Sequence, residues 1–238
     1  MSIPGFDAWL KSPLGKHVIA WEQERLDRAV ADVFGFNALQ IGMPQCDFLH
    51  ANRIPLRFRA GVDEHADVRC DLSALPFASQ SIDLVVLAHA LEFHPDPHQL
   101  LREIERILRP EGQLIMLGFN PLSLWGVRKR LLRRRDAFPW NGEYLSILRV
   151  KDWLKLLGFE IDRGAFGCYT PPCRQEKWLR RLNFMEAAGD RWWGFGGGVY
   201  MLRAIKRVKG IRLIGPNWKQ KRLAAQALRP LTEKGRLQ

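Results

Sequence analysis

The sequence predicts an α/β fold in which a central, mostly parallel sheet has helices on both faces and ends in a C-terminal antiparallel hairpin. Residues 82–87 form a near-continuous aliphatic run, which is typical of a parallel strand covered on both faces. A helical stripe follows and leads to a second buried run at residues 113–118, so this stretch is a strand-helix-strand unit with a right-handed crossover. Near the end of the chain, residues 159–161 and 198–202 have strand patterns with little helix between them, which predicts the hairpin.

The helix of the strand-helix-strand unit has start and stop signals. Asp96 stands where an N-cap belongs, Pro97 is a favoured first helical residue, and Gln99 completes a capping-box pattern. Residues 109–112, which include a proline and a glycine, end the helix. The apolar stripe between these signals consists of Leu100, Leu101, Ile104, Ile107 and Leu108.

Three segments are expected along the chain. Residues 1–35 have apolar residues near helical spacing and form an N-terminal helical segment that ends at Gly35. Residues 36–205 form the α/β domain, which begins with strands at residues 38–42 and 55–59. Residues 206–238 form a basic C-terminal tail.

The composition is that of a soluble globular protein with a basic surface. The 238 residues are 47% hydrophobic and carry a formal net charge of +12, which favours polyanionic neighbours such as nucleic acid, anionic lipid or phosphorylated substrates. No uncharged apolar run is long enough to span a membrane, so we expect a cytoplasmic protein, with a peripheral membrane location as the alternative. The four cysteines form no CxxC pair and are interpreted as reduced structural thiols, and no metal site is expected.

Several linked motifs in the central stretch are similar to one family. Residues 70–77 read Cys-Asp-Leu-Ser-Ala-Leu-Pro-Phe, residues 81–86 read Ser-Ile-Asp-Leu-Val-Val, and residues 101–112 read Leu-Arg-Glu-Ile-Glu-Arg-Ile-Leu-Arg-Pro-Glu-Gly. In this order they resemble the class I S-adenosylmethionine-dependent methyltransferases, in particular the type-11 group, and the similarity covers residues 36–205. The resemblance implies a Rossmann-like methyltransferase fold, S-adenosylmethionine as cofactor, and methyl transfer to a small-molecule or lipid-like acceptor.

The resemblance also implies a cofactor site made of Gly42, Asp71, Leu72, Ala88 and His89. Ligands of open α/β sheets bind beyond the carboxyl ends of the strands, where the strand order reverses. Gly42 follows the first strand there, and the Asp71 carboxylate accepts from the adenine amino group. Backbone groups of Leu72 and Ala88 make similar contacts, and His89 faces the crevice just past the fourth strand. No catalytic residue is assigned, because a sulfonium methyl group is already activated and catalysis then rests on alignment.

The first glycine motif departs from the family pattern. The family has a carboxylate at the position of Gln40, which helps to organise the amino-acid end of the cofactor, and of its three glycines only Gly42 is kept. Pro44 fixes φ and removes an N–H donor in a loop where the backbone approaches the ligand. The chain up to the third strand is also too short for the usual helices. Asp63 and Glu64 are either the acids that hold the ribose hydroxyls or part of an ordinary surface loop.

The altered loop leaves two functions open. One is an active S-adenosylmethionine-dependent methyltransferase. The alternative is a catalytically inactive, methyltransferase-like binding protein that uses a basic surface to dock nucleic acid, membrane or a protein partner.

A basic segment follows the fifth strand and has apolar residues between its cations. As a helix it has an apolar side and a cationic side, which suits an anionic membrane surface, phosphate contacts with nucleic acid, or a solvated helix packed on the domain. Trp192 and Trp193, later in the chain, are interpreted as core residues or as a substrate lid. The cations that are candidates for polyanion contact are Arg128, Lys129, Arg130, Arg133, Arg134 and Arg135.

Overall fold

The computed structural model describes residues 5–131, 137–173, 175–182 and 184–208, and these ranges contain seven strands and seven helices. The strands are β1 (Asn37–Ile41), β2 (Leu56–Gly61), β3 (Val68–Arg69), β4 (Ile82–Ala88), β5 (Leu108–Phe119), β6 (Phe159–Gly167) and β7 (Val199–Lys206). The helices are α1 (Phe6–Lys11), α2 (Pro13–Ala31), α3 (Pro97–Ile107), α4 (Leu124–Leu131), α5 (Ile147–Leu156), α6 (Glu176–Arg181) and α7 (Phe184–Trp192).

The seven strands form one mixed sheet in the order β3-β2-β1-β4-β5-β7-β6. β1 pairs in parallel with β2 and β4, and β4 pairs in parallel with β5. β7 is antiparallel to both of its neighbours, β5 and β6. The strand order reverses between β1 and β4, so the carboxyl ends of these two strands flank a crevice. The predicted fold, including the C-terminal antiparallel pair, is confirmed.

Two hydrophobic layers cover the two faces of the sheet, because successive side chains of a strand point to opposite faces. On one face, α2 and the loop after β1 pack with Leu84 and Val86 of β4. On the other face, α3 and α5 pack with Val85 and Leu87. The N-terminal helices therefore belong to the same core as the sheet.

The start of α3 confirms the predicted N-cap. The Asp96 carboxylate accepts a hydrogen bond from the backbone N–H of Gln99 at 3.0 Å, and Pro97 is the first helical residue. The reciprocal half of the capping box does not form. The Gln99 side-chain amide instead donates to the carbonyl oxygen of Ser73 at 3.1 Å, and this bond ties α3 to the turn after β3.

Before the fourth strand, the end of the N-terminal helix differs from the sequence prediction, whereas the shortage of chain agrees with it. α2 ends at Ala31 rather than at Gly35, and Gly35 instead packs against Asp83, where a side chain would clash. Residues 42–55 contain no helix and β3 has two residues, so the predicted shortage of chain before the third strand is confirmed.

The connection between β6 and β7 differs more strongly from the sequence prediction than these boundaries do. Two helices, α6 and α7, lie where the sequence predicts little helix. Both are short and most of their residues are exposed, so they lack the long apolar stripe that identifies a helix in a sequence. β7 includes Lys206, the first residue of the predicted basic tail, and residues 209–238 lie outside the described part of the chain.

Candidate functional site

Gly42 and Ala88 bring the ends of β1 and β4 together at the reversal of strand order. Gly42 has a φ of +85°, which L residues rarely adopt. A Cβ atom on Gly42 would clash with the carbonyl oxygen of Ala88. The one glycine that the chain keeps from the family motif is therefore required by the backbone itself.

The residues that follow these two positions have unusual backbone conformations. Met43 has a φ of +48° and His89 a φ of +51°, and both side chains are buried. A non-glycine residue in the left-handed region costs about 1–3 kcal/mol and persists where the surrounding structure holds it in place, often at functional sites. Both walls of the crevice thus contain strained backbone.

Gln40 holds the altered loop from within the protein. Its side-chain amide donates to the carbonyl oxygens of Gly42, Met43 and Cys46, at 3.2, 3.1 and 2.8 Å. Its side-chain oxygen accepts from the backbone N–H of Phe48 at 3.0 Å. Gln40 therefore folds the loop back on β1, and its polar atoms are already engaged.

Asp71 and Leu72 lie in the turn after β3. The Asp71 carboxylate accepts from the backbone N–H of Ser73 at 2.8 Å and is otherwise exposed. This hydrogen bond lowers the pKa of Asp71, so the carboxylate is ionised and can accept from a ligand. The Leu72 side chain is half-buried against the core. The structure thus leaves the predicted adenine contact accessible.

His89 lies between two buried carboxylates rather than projecting freely into the crevice. Its Nε2 is 2.7 Å from Oε1 of Glu22 on α2, and its Nδ1 is 3.2 Å from Oε2 of Glu92. The other oxygen of Glu92 accepts from the backbone N–H of Phe119 at the end of β5. We call Glu22, His89 and Glu92 the buried triad, since none of the three side chains is more than 2% exposed.

The geometry of the buried triad favours a protonated histidine, because each ring nitrogen faces a carboxyl group. An ionised carboxylate can only accept, so both ring nitrogens of His89 must donate. Burial lowers the pKa of His89, but the charges of Glu22 and Glu92 outweigh burial and raise this pKa to about 10. A protonated imidazole has no lone pair, so His89 cannot act as a general base in this arrangement.

One atom of the buried triad has no partner. Oε2 of Glu22 is buried and accepts no hydrogen bond from the described residues. Burial, and to a smaller extent the charge of Glu22, raise the pKa of the Cys46 thiol to about 11. Val18 and Leu26, which flank Glu22 on α2, pack in one buried cluster with Met43 of the altered loop. A buried acceptor without a donor costs free energy, and this position therefore favours a cationic ligand.

An apolar groove of about 900 Å³ opens at the carboxyl edge of the sheet, beyond β5 and β6. Phe119 and Gly167 end these strands, and both pair with Val199 at the start of β7, so the segments that adjoin them meet at one edge. Trp192 and Trp193 are 76% and 63% exposed, so they line the groove and the core alternative for them is wrong. Other apolar lining residues are Leu122, Leu124, Val127, Phe184, Met185 and Phe195.

The basic segment begins with α4, which forms one wall of this groove. The Arg128 guanidinium lies over the ring of Trp140 at 5.6 Å, and the Lys129 ammonium lies over the ring of Tyr144 at 4.1 Å. Arg130 is exposed. Arg133, Arg134 and Arg135 lie outside the described residues.

The remaining candidates are separate from one another. Asp63 and Glu64 follow β2, which is the neighbour of β1, and the Asp63 residue is the less exposed of the two. His94 contacts Ser73, and His98 packs on an aromatic ring. Within the described ranges, no group of three or more candidate metal ligands occurs, and none of the helices there is long and apolar enough to cross a membrane.

The sequence analysis missed Glu22 and most of the groove. Val18, Glu22 and Leu26 are spaced by four residues, so a single acid interrupts the buried stripe of α2. That interruption was a usable signal for a buried charge. The signal for the groove was the density of aromatic residues between Phe184 and Phe195.

Comparison with known proteins agrees with this architecture. Residues 44–116, from the altered loop to β5, match the family model described as a methyltransferase domain. The fold of a solved S-adenosylmethionine-dependent methyltransferase from Thermotoga maritima matches with a TM-score of 0.64 at 16% identity, covering 85% of this chain and 94% of that chain. Residues 44–116 are therefore similar to a methyltransferase domain, the chain has the fold of S-adenosylmethionine-dependent methyltransferases, and S-adenosylmethionine is the cofactor that this similarity indicates.

Two curated relatives define the similarity further. The uncharacterised protein YafS of Escherichia coli K12 is 34% identical over 158 residues, which are 65% of each chain. The malonyl-[acyl-carrier protein] O-methyltransferase of Methylovorus is 34% identical over 182 residues, 75% of this chain and 61% of the relative. The chain thus spans less than two thirds of the length of these relatives.

Proposed function

We propose that this chain is an S-adenosylmethionine-dependent methyltransferase whose acceptor is an apolar, lipid-like compound bound in the groove between α4 and α7. The apolar groove carries the proposal. It lies at the same edge of the sheet as the cofactor crevice, and its volume of about 900 Å³ suits a ligand of drug or lipid size. The name of the Methylovorus relative indicates an acyl-carrier substrate for that protein, which is consistent with an acyl-type acceptor here.

The residues of the crevice fit the cofactor. The exposed Asp71 carboxylate is able to accept from the adenine amino group, Leu72 belongs to the same turn, and Ala88 ends β4 at the reversal of strand order. A buried acid with one unpartnered oxygen suits a ligand that carries positive charge. Bound S-adenosylmethionine supplies an activated methyl group, and the chain supplies orientation and a site that excludes water.

A cofactor titration tests the enzyme proposal. We expect calorimetry to give micromolar affinity for S-adenosylmethionine and S-adenosylhomocysteine. Asp71→Ala should weaken both by at least about tenfold, because it removes a charge-assisted hydrogen bond. Asp152→Ala, an exposed acid of α5, serves as the matched control and should bind as the wild type does. No detectable binding of either ligand by the wild-type protein would contradict the proposal.

A wild-type protein that binds neither ligand would favour the alternative, an inactive binding protein with a methyltransferase fold. The observation that favours this alternative is the packing of the altered loop, in which Met43 and Pro44 are buried. Side chains that fill the loop take space that the family's glycines leave open. The same titration therefore decides between the two functions.

A second experiment tests the acceptor. We expect the fluorescent acyl probe 11-(dansylamino)undecanoic acid to bind with increased emission, and Val127→Asp to weaken it at least about fivefold, since a charge enters an apolar site. Leu156→Asp, at an exposed apolar position of α5 outside the groove, is the control and should leave binding unchanged. Equal effects of the two variants would disprove binding in the groove.

The cations of α4 extend this proposal to the membrane from which such an acceptor would come. Exposed apolar residues and Arg130 lie side by side on α4, an arrangement that suits an anionic surface. Retention on anionic vesicles should fall at high salt and on changing Arg128 and Arg130 to Gln. Retention on RNA but not on vesicles would point instead to nucleic acid.

A further inference from the structure

We infer that Glu22 of α2 binds the α-ammonium group of S-adenosylmethionine, in place of the acid that the family has at the position of Gln40. This inference rests on the proposed function, since it concerns the cofactor of that reaction. It assigns a ligand-binding role to a residue of the N-terminal helical segment, outside the motifs that resemble the family.

Gln40 cannot take this role itself. Its amide is neutral and fully buried, and both of its polar atoms already bind the loop: three carbonyl oxygens accept from its nitrogen, and the N–H of Phe48 donates to its oxygen. Gln40 therefore offers an ammonium group no negative charge, only the second lone pair of an oxygen that already accepts from Phe48. The acid lost from β1 must therefore be replaced from elsewhere.

Glu22 has the free acceptor that such a replacement requires. The side chain is 0% exposed, yet its Oε2 accepts no hydrogen bond from the described residues, whereas Oε1 is held by His89. A fully buried carboxylate oxygen that accepts no hydrogen bond is rare in folded proteins. Three donors are available on an ammonium group, so one of them satisfies Oε2 without disturbing the bond to His89.

The position of Glu22 joins the two walls of the crevice. His89, its hydrogen-bond partner, directly follows β4. Met43 of the altered loop after β1 is buried in the same cluster as Val18 and Leu26, which flank Glu22 on α2. These are the two strand ends between which ligands of this fold class bind.

The charge of the buried triad favours the same ligand. The buried triad sets two carboxyl groups against one imidazole, an excess of one acid, in a place that solvent does not reach. His89 lies within ion-pair distance of both acids. S-adenosylmethionine carries two positive groups and one carboxylate, a net charge of +1, so its binding neutralises the triad.

Comparison of two ligands distinguishes binding of the amino-acid end of the cofactor from binding of its nucleoside. S-adenosylhomocysteine has the ammonium group, whereas 5′-methylthioadenosine has the same nucleoside without the amino acid. We expect Glu22→Gln to weaken S-adenosylhomocysteine at least about tenfold and to change 5′-methylthioadenosine less than about twofold, measured by calorimetry. Asp71→Ala should weaken both ligands alike, because it acts on the adenine.

Glu92→Gln is the matched control for a merely structural effect. It removes the other carboxylate from His89 and leaves Glu22 in place. Retained preference for S-adenosylhomocysteine in this variant supports the inference, and an equal loss in both variants overturns it. Should Glu22→Gln fail to fold, the double variant Glu22→Gln/His89→Asn removes the uncompensated histidinium and must show the same loss.

The outcomes distinguish this inference from the proposed function. Wild-type protein that binds neither ligand contradicts both. Wild-type protein that binds both, together with a Glu22→Gln variant that keeps the preference, overturns the role of Glu22 and leaves the methyltransferase proposal standing.

Discussion

Individual residues at the crevice are constrained by the backbone before any ligand is considered. Gly42 adopts a conformation that side chains disfavour, and Met43 and His89 adopt one at their own cost. Histidine and asparagine are among the residues that tolerate the left-handed region best, which makes Asn the least disruptive replacement for His89. Sequence reasoning identified Gly42 correctly as the remaining glycine, although the reason for it is contact with Ala88.

Replacement of Gly42 tests this constraint. We expect Gly42→Ala to lower the free energy of unfolding by about 2 kcal/mol or more, because a methyl group meets the Ala88 carbonyl and φ is positive. Gly194→Ala is the matched control: a Cβ there meets nothing, and the change should stay within about 0.5 kcal/mol. Urea unfolding measures both, and comparable losses would refute the explanation.

Glu22 shows why part of the site escaped prediction at this scale. Its place in the apolar stripe of α2 signals a buried charge, but the partner, His89, is 67 residues away in sequence. Helical periodicity reports which face of a helix is buried, not what that face meets. The motifs around Asp71 and β4 are contiguous, so sequence alone could place them.

At the scale of elements, predictability follows the strength of the local pattern. β4, α3 and the core of β5 combine continuous apolar residues with a cap, and each was predicted to within a few residues, although β5 extends back to Leu108. α6 and α7 have 6 and 9 residues and bury few of them, so no periodicity distinguishes them from a loop. Their aromatic side chains nevertheless form much of the groove, which is why the acceptor site could not be placed from the sequence.

At the scale of the whole molecule, the buried triad connects parts of the chain that are far apart. Glu22 comes from α2, His89 and Glu92 from the segment after β4, and the hydrogen bond to Phe119 reaches β5. Separation of any of these parts leaves a buried charge without its partner, which is strongly destabilising. The triad therefore couples the N-terminal helical segment to the sheet.

This coupling predicts a pH dependence of global stability. The pKa of His89 is about 10 in the folded chain and near 6.5 when unfolded, so the folded state holds the proton more tightly. The stabilisation is complete below pH 6.5 and is lost as pH rises towards 10. Urea unfolding from pH 6 to 9 should show this decline in the wild type and a shallower one in His89→Asn.

The surface residue His65 supplies the control for that series. It is exposed, so His65→Asn should follow the wild-type pH profile throughout. A decline in His89→Asn as steep as in the wild type would mean that the buried triad does not set the pH dependence.

The hydrogen bonds of the Gln40 side chain fix the conformation of the loop after β1 when the chain folds. The conformational entropy of this loop is lost then, and association with a ligand need not supply it again. Such preorganisation makes the crevice a rigid receptor. A rigid site selects its ligands by their shape. Cofactor analogues with a bulkier amino-acid end should therefore bind poorly, whereas a flexible loop would rearrange to accommodate them.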